Sequence, residues 1–479
     1  MALAQGSKGL FGILERACLK SPDSKALVSA RMTFSYQELL NSSIIFAKFL
    51  RGLGLTQGDR FWAALPAELS VIMNFAAGHE GIVMVPYVPS YKDHEKLGCK
   101  RLVAQPILDI FYPIEPAAMT QEKLAELAGD GEVLDFRGDD SGDEIYRAFF
   151  TSGTTGMPKP VALSLNQMIS RSQNLRAIAG IGPRHLTLLS PEILLGFNTM
   201  LSNVLHGETF FQAQDGGDGA ALISNYQIES LLTSPATLAE LITTEQGRVA
   251  VASLSRIQLA GSMLPKEQLM ALRETFDGEL TIQYGSAESG AVAVKKVDRT
   301  VSQSLGEVCS WAEIQVVDDQ GLELTDGQIG HIKIKSQDIV QTYFDDESNS
   351  ALKDGWFYGG DLGLVASNGE IFITGRSSER INVGGVKLSP EDVESLIREH
   401  YPFDDLAVFE TRDRQGVPVV GLAFVANQKP DVEALHKKLR QELGANAPTA
   451  IFRVPKIPRN ELGKVLRLEL TQAFEKSIS

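Results

Sequence analysis

FFTSGTTGMPKPVAL, residues 149–163, joins an apolar start to a polar loop that ends at Lys159. Thr151, Ser152, Thr154 and Thr155 offer hydroxyl donors. Gly153 and Gly156 let consecutive backbone N–H groups converge on an anion. A Walker loop reads G-x-x-x-x-G-K-[ST]; here the glycines stand three residues apart and Met157-Pro158 intervene before the lysine. Taken alone, a Ser/Gly/Thr cluster of this kind is a surface turn. What it does depends on the residues around it.

Before it, helical and strand patterns alternate. LFGILERACLKSP (10–22) has helical spacing and stops before Pro22. ALVSARMTFSYQELL (26–40) reads as two short strands around a turn, running into a helix that Ser35 caps. IIFAKFLRGLGL (44–55) is an amphipathic helix, and GDRFWAALP (58–66) a strand. From Gly98 the pattern thins into the acidic connector GDGEVLDFRGDDSGDE (129–144). After the loop, strand and helix patterns resume to about Ile282. Beyond Val292 short β runs follow: AEIQVVDDQG (312–321), GHIKIKS (330–336) and LGLVASNGEIFITG (362–375). The expected fold is α/β: a large N-terminal domain of α/β sheet subdomains with a small β-rich subdomain, then a small α+β domain. The boundary falls at Ser377–Ser378, giving 1–377 and 378–479. SPEDVESLIREH (389–400), DLAVFETR (405–412), PVVGLAFVA (418–426), DVEALHKKLRQEL (431–443) and PTAIFRV (448–454) supply the second domain.

The bulk numbers agree. A chain of 479 residues exceeds the roughly 250–300 at which one core stops growing. Cys18, Cys99 and Cys309 lie far apart, which argues against a disulfide framework or a cysteine zinc site. No leader pattern and no long apolar run is evident, so a cytoplasmic protein without a membrane span is expected. The net charge of −15 disfavours nucleic-acid binding, which depends on neutralising phosphates.

Three further stretches carry chemistry. In IQYGSAESG (282–290) a strand runs into a turn bearing Glu288. A single carboxylate there suits Mg2+ shared with substrate phosphates, and Tyr284 can stack on a flat base. DGWFYGGDLG (354–363) sets Asp361 in a glycine turn, where a carboxylate accepts from vicinal hydroxyls; Arg376 follows a short strand. IPRNELGKVLR (457–467) carries Lys464 in a linker before the last helix.

TSGTTGMPK (151–159), YGSAE (284–288), Gly360-Asp361 followed by Gly375-Arg376, and NELGKVLR (460–467) together resemble the adenylate-forming superfamily of acyl-CoA synthetases, nonribosomal peptide synthetase adenylation domains and firefly luciferase. TFSYQELL (33–40) and FLRGLGLTQGDR (49–60) extend the likeness to the start of the chain. The resemblance implies an ATP-dependent ligase that forms an acyl-AMP, releases pyrophosphate and passes the acyl group to a thiol. CoA is the first choice of acceptor, and the phosphopantetheine arm of an acyl or peptidyl carrier protein the second. A non-catalytic binding protein is the third reading.

By the same likeness Thr151, Ser152, Gly153, Thr154, Thr155, Gly156 and Lys159 hold phosphates. Gly261, Tyr284, Gly285, Ser286 and Ala287 border the nucleotide, and Asp361 holds the ribose near Arg376. Glu288 binds Mg2+, Lys464 bridges carboxylate and α-phosphate, and Gly384-Gly385 line the thiol tunnel. The second domain turns about Ser378 between half-reactions. Phe197, Asn198 and Gly261 fall at the acyl pocket. In LLSPEILLGFNTML (188–201) two registers put either Glu192 or Leu194 beside the substrate. Glu192 in the pocket would favour an acid that carries an amine. Pro160, Ala287, Ser378 and Asn382 depart from the residues common in the superfamily at those positions.

Overall fold

A nine-stranded sheet forms the largest layer of the protein. Its middle is six parallel strands in the order Glu279–Ser286, Arg256–Leu259, Ser230–Thr233, His185–Thr187, Phe210–Gln212 and Lys25–Val28. Such strands are covered on both faces and read as continuous apolar runs; Ser230–Thr233 is buried at every position. Antiparallel strands close the edges: Gly290–Lys296 and Glu307–Val308 on one side, Thr33–Ser35 on the other. The computed structural model describes residues 9–88, 91, 94–103, 142–151, 159–262, 264, 266–298, 304–325, 327–344, 351–377, 381–383, 386–401, 403–413, 417–426, 432–444, 447–459 and 464–478.

A second sheet runs in the order Cys99–Val103, Arg60–Ala63, Val83–Pro86, Ile145–Thr151 and Lys159–Ser164, parallel except for the last strand. Between the sheets lies an apolar cluster that includes Phe61, Phe75, Phe149 and Phe197. The Ala67–Glu80 helix is buried along its whole length there. Its polar residues are buried with partners: Glu80 accepts from Arg51, and Asn74 Nδ2 donates to Ser70 O at 2.7 Å.

Local signals behave as expected. Ser35 caps the Tyr36–Gly52 helix with a complete capping box, and Ser164 does the same with Gln167 for Leu165–Ala179. The Leu10–Lys20 helix ends before Pro22. Past Val292 the strands Ala312–Val317, Gly330–Ser336, Leu352–Lys353, Trp356–Phe357, Asp361–Val365 and Ile371–Arg376 form an antiparallel sheet. Cys99–Val103 was not anticipated, because its three central residues are exposed and carry no alternation. Most of the acidic connector lies outside the described residues.

From Ile381 the chain packs on cores of its own. Ile381, Val393, Ile397, Leu406 and Leu422 make one cluster; Phe409, Ile457, Leu470 and Phe474 make another. They lie on either side of the three-stranded sheet Asp405–Arg412, Pro418–Val425 and Ala450–Arg453, with the Pro390–His400, Val432–Leu443 and Arg467–Ile478 helices. Among the described residues there are twelve α-helices.

Candidate active site

The parallel strands of the large sheet end on one side, where crevices in open α/β sheets form. Gly261 lies just past the Arg256–Leu259 strand at φ +98°, a conformation that favours glycine. Glu279–Ser286 turns back into Gly290–Lys296 through Ala287 and Glu288. A Cβ on Gly285 would stand 2.0 Å from the Gly290 carbonyl, so this hairpin admits no side chain there. Gly261, Tyr284, Gly285, Ser286, Ala287 and Glu288 all line a cavity of about 300 Å3.

Thr151 and Lys159 face each other as antiparallel partners and line the same cavity. The connection between them, with Ser152, Gly153, Thr154, Thr155 and Gly156, lies outside the described residues. Pro160 occupies the edge strand of its sheet, where a missing N–H is tolerated. Its carbonyl accepts from Phe344 N–H at 3.0 Å.

Asp361 and Arg376 sit opposite each other on neighbouring strands. Arg376 Nε lies 2.7 Å from Asp361 Oδ1, and Tyr284 Oη–H donates to Asp361 Oδ2 at 2.6 Å. Burial first, then the Asp361 charge, pushes the Tyr284 hydroxyl well above its ordinary range, so it stays a donor. Asp361, Arg376 and Ser377 line the cavity, and Lys464 enters it from the C-terminal segment.

Glu288 is buried, and its Oε1 accepts from Tyr343 Oη–H at 2.8 Å. Lys159 Nζ stands 5.9 Å from the centroid of the same tyrosine ring. Asp338 lies on the wall as well, its Oδ2 accepting from Asn174 Nδ2 at 2.9 Å. No group of three or more His, Cys, Asp or Glu able to hold a metal occurs among the described residues. That donor set fits Mg2+, which takes one or two carboxylates and completes its shell with water and phosphate, and does not fit an all-protein cage.

Two acyl-pocket expectations are corrected. Glu192 pairs with buried Arg147, Oε2 to Nη2 at 3.0 Å, accepts from Ser70, and is not among the residues that line the cavity. Phe197 is fully buried in the core, beneath the Arg147 guanidinium and beside Phe149. The wall receives the expected Asn198 and the alternative Leu194, together with Ile193, Leu195, Leu175 and Ala260. Ser378, Gly384 and Gly385 lie outside the described residues, and Asn382 lies on the Ile381–Val383 strand.

Arg171, Asn174, Asp338 and Tyr343 were not singled out from the sequence. Helical spacing puts Arg171 and Asn174 on one face of Leu165–Ala179, which is the only local trace of their shared direction. Arg171 is buried, and that burial lowers its pKa to about 10 against the opposing pull of Asp338 and Glu288, so it remains a cation at neutral pH.

A sequence model of the AMP-binding enzyme family matches residues 14–344. The chain belongs to this family. Relatives of this AMP-binding enzyme include 4-coumarate–CoA ligase 4 of Arabidopsis thaliana, 28% identical over 68% of this chain and 61% of that one. Medium-chain fatty-acid–CoA ligase of Escherichia coli is 24% identical over 97% and 90%. ATP-bound MatB from Rhodopseudomonas palustris shares the fold, with a TM-score of 0.82 at 21% identity over 99% of this chain and 100% of that one. The enzyme is an AMP-forming acid–thiol ligase that works through an acyl adenylate. No helix among the described residues is long and apolar enough to cross a membrane.

Proposed function

We propose that this enzyme joins a small carboxylic acid with a neutral, largely apolar body to CoA, using ATP and Mg2+. The observation that carries the reading is Lys464, which comes from the C-terminal segment yet lines the same cavity as Tyr284, Glu288, Asp361 and Arg376. An ammonium there offsets charge that builds as the acid attacks the α-phosphate. Asp361 presents its oxygens to the ribose hydroxyls, with Tyr284 and Arg376 fixing the carboxylate. The Tyr284 ring offers its face to adenine beside Gly261, Gly285, Ser286 and Ala287. Thr151 and Lys159 frame a loop whose hydroxyls grip pyrophosphate, and neutral donors release that product more readily than a cage of charge. Glu288 is the residue that would hold Mg2+, which supplies charge neutralisation at the phosphates when bound.

The wall of Leu175, Ile193, Leu194 and Leu195 supports an apolar acyl group, and the Glu192–Arg147 pair removes the ground for preferring an amino acid. The same proposal divides the chain into 1–377 and 378–479, with Ser378 as hinge and Gly384-Gly385 along the thiol's path. In support, Ser377 N–H still donates to Gly360 O at 2.8 Å, whereas Ile381 already packs in the C-terminal core. A cytoplasmic setting accompanies it, supported by three free cysteines.

The test is pyrophosphate release from ATP and Mg2+ across a panel of aliphatic, aromatic and amino acids. Neutral apolar acids are expected to give release, and CoA then to give AMP and an acyl-CoA. Release with no acid in the panel would overturn the reading. Turnover with a pantetheinylated carrier protein but not with CoA would replace the acceptor.

A further inference from the structure

We propose that Arg171 is a positioning residue of the adenylation site, setting the Ala287-Glu288 turn against the segment that begins at Asp338 and so aiming the Glu288 carboxylate. This rests on the reading of Glu288 as the metal-binding carboxylate.

One guanidinium ties together three carbonyls from two separate stretches of chain. Arg171 Nη1 donates to Ala287 O at 2.6 Å and Nη2 to Glu288 O at 3.0 Å. Nε donates to Asp338 O at 3.2 Å, and Nη2 also reaches that oxygen. The planar fork of an arginine fixes the mutual orientation of its acceptors, which a lysine ammonium does not. The segment it holds then grips Glu288 twice: Val340 N–H donates to Glu288 O at 2.9 Å, and Tyr343 Oη–H to Glu288 Oε1 at 2.8 Å. Asn174, one turn along the helix, donates to Asp338 Oδ2 and steadies the same segment. Thus the backbone and the carboxylate of Glu288 are both referred, through one buried side chain, to the Leu165–Ala179 helix. That helix starts from its Ser164 cap directly after the strand bearing Lys159.

Partners that orient a metal-binding carboxylate cost about 10–100-fold in metal affinity when removed. Calorimetry on the full chain reads this without knowledge of the acid, using ATP with Mg2+, ATP with EDTA, and AMP as probes. Arg171→Ala is expected to weaken ATP binding with Mg2+ by about tenfold or more. AMP binding should stay within about twofold, because Asp361 and Arg376 are untouched. Equal weakening of AMP and ATP would mean general damage to the site and would overturn the proposal. Arg171→Lys keeps the charge without the fork and carries the test if the alanine variant does not fold. It should remain weakened, and full recovery would show that charge alone acts, which also overturns the proposal. Glu288→Gln separates the two readings. If it leaves the Mg2+ effect intact, the metal role of Glu288 fails and the Arg171 proposal fails with it. If it abolishes the effect while both Arg171 variants retain it, only the Arg171 proposal fails.

Discussion

His185 illustrates how a single side chain makes the whole protein sensitive to acid. It is fully buried on a central strand with Nδ1 2.7 Å from Ser230 Oγ, and burial, aided by Arg176 and Arg256, lowers its pKa from 6.5 to about 3. Between those values the unfolded chain binds the proton and the folded chain does not, so stability rises with pH and is fully present above about 6.5. Lowering the pH to 5 should remove about 2 kcal/mol through this group. Urea denaturation at pH 7 and pH 5 checks it: the difference in unfolding free energy should shrink in His185→Gln. At this scale the sequence was most legible where a charged side chain follows glycine in a short stretch, as Asp361, Arg376 and Lys464 do. Arg171 has no such marker. Its acceptors lie 116 to 167 residues away, and only folding brings them together. Glu192 misled for a related reason, since its partner Arg147 is 45 residues away on a strand that looks ordinary.

Among elements, the hairpin of Glu279–Ser286 with Gly290–Lys296 is the one on which the site depends. Gly285→Ala would drive a methyl group into the Gly290 carbonyl and the Ala291 backbone, neither of which can rotate away. We expect a cost of about 1–3 kcal/mol, as for other overpacked sites. A lowered thermal midpoint together with weaker AMP binding would bear this out; an unchanged affinity would mean that the hairpin does not set the nucleotide wall. Element types were readable from capping boxes, glycine stops and strand alternation. The exposed Cys99–Val103 strand was missed because alternation appears only where one face is buried.

For the molecule as a whole, the decisive relation is between Lys464 and a cavity built otherwise from earlier residues. Lys464→Ala should abolish pyrophosphate release while thiolation of a pre-formed acyl adenylate survives, as single-turnover assays of each half-reaction would show. Equal loss of both halves would contradict a C-terminal unit that serves the two steps in different orientations. The length and motif order behind the proposed two-part division could be read in advance. The order of strands in the large sheet could not, since Lys25–Val28 and Phe210–Gln212 become neighbours by burying common apolar surface and carry no complementary local signal.

That sheet has a bearing on how the protein behaves at high concentration. Its long parallel centre pairs residues far apart in the chain, an arrangement that folds slowly. A raw edge on such a sheet would template other copies during that delay. Here the outermost strands are the two-residue Glu307–Val308 and the three-residue Thr33–Ser35, both antiparallel and too short to recruit a neighbour. The architecture that opens the cavity at one end of the sheet therefore also guards its flanks, and it favours refolding from dilute denaturant without fibrous by-products.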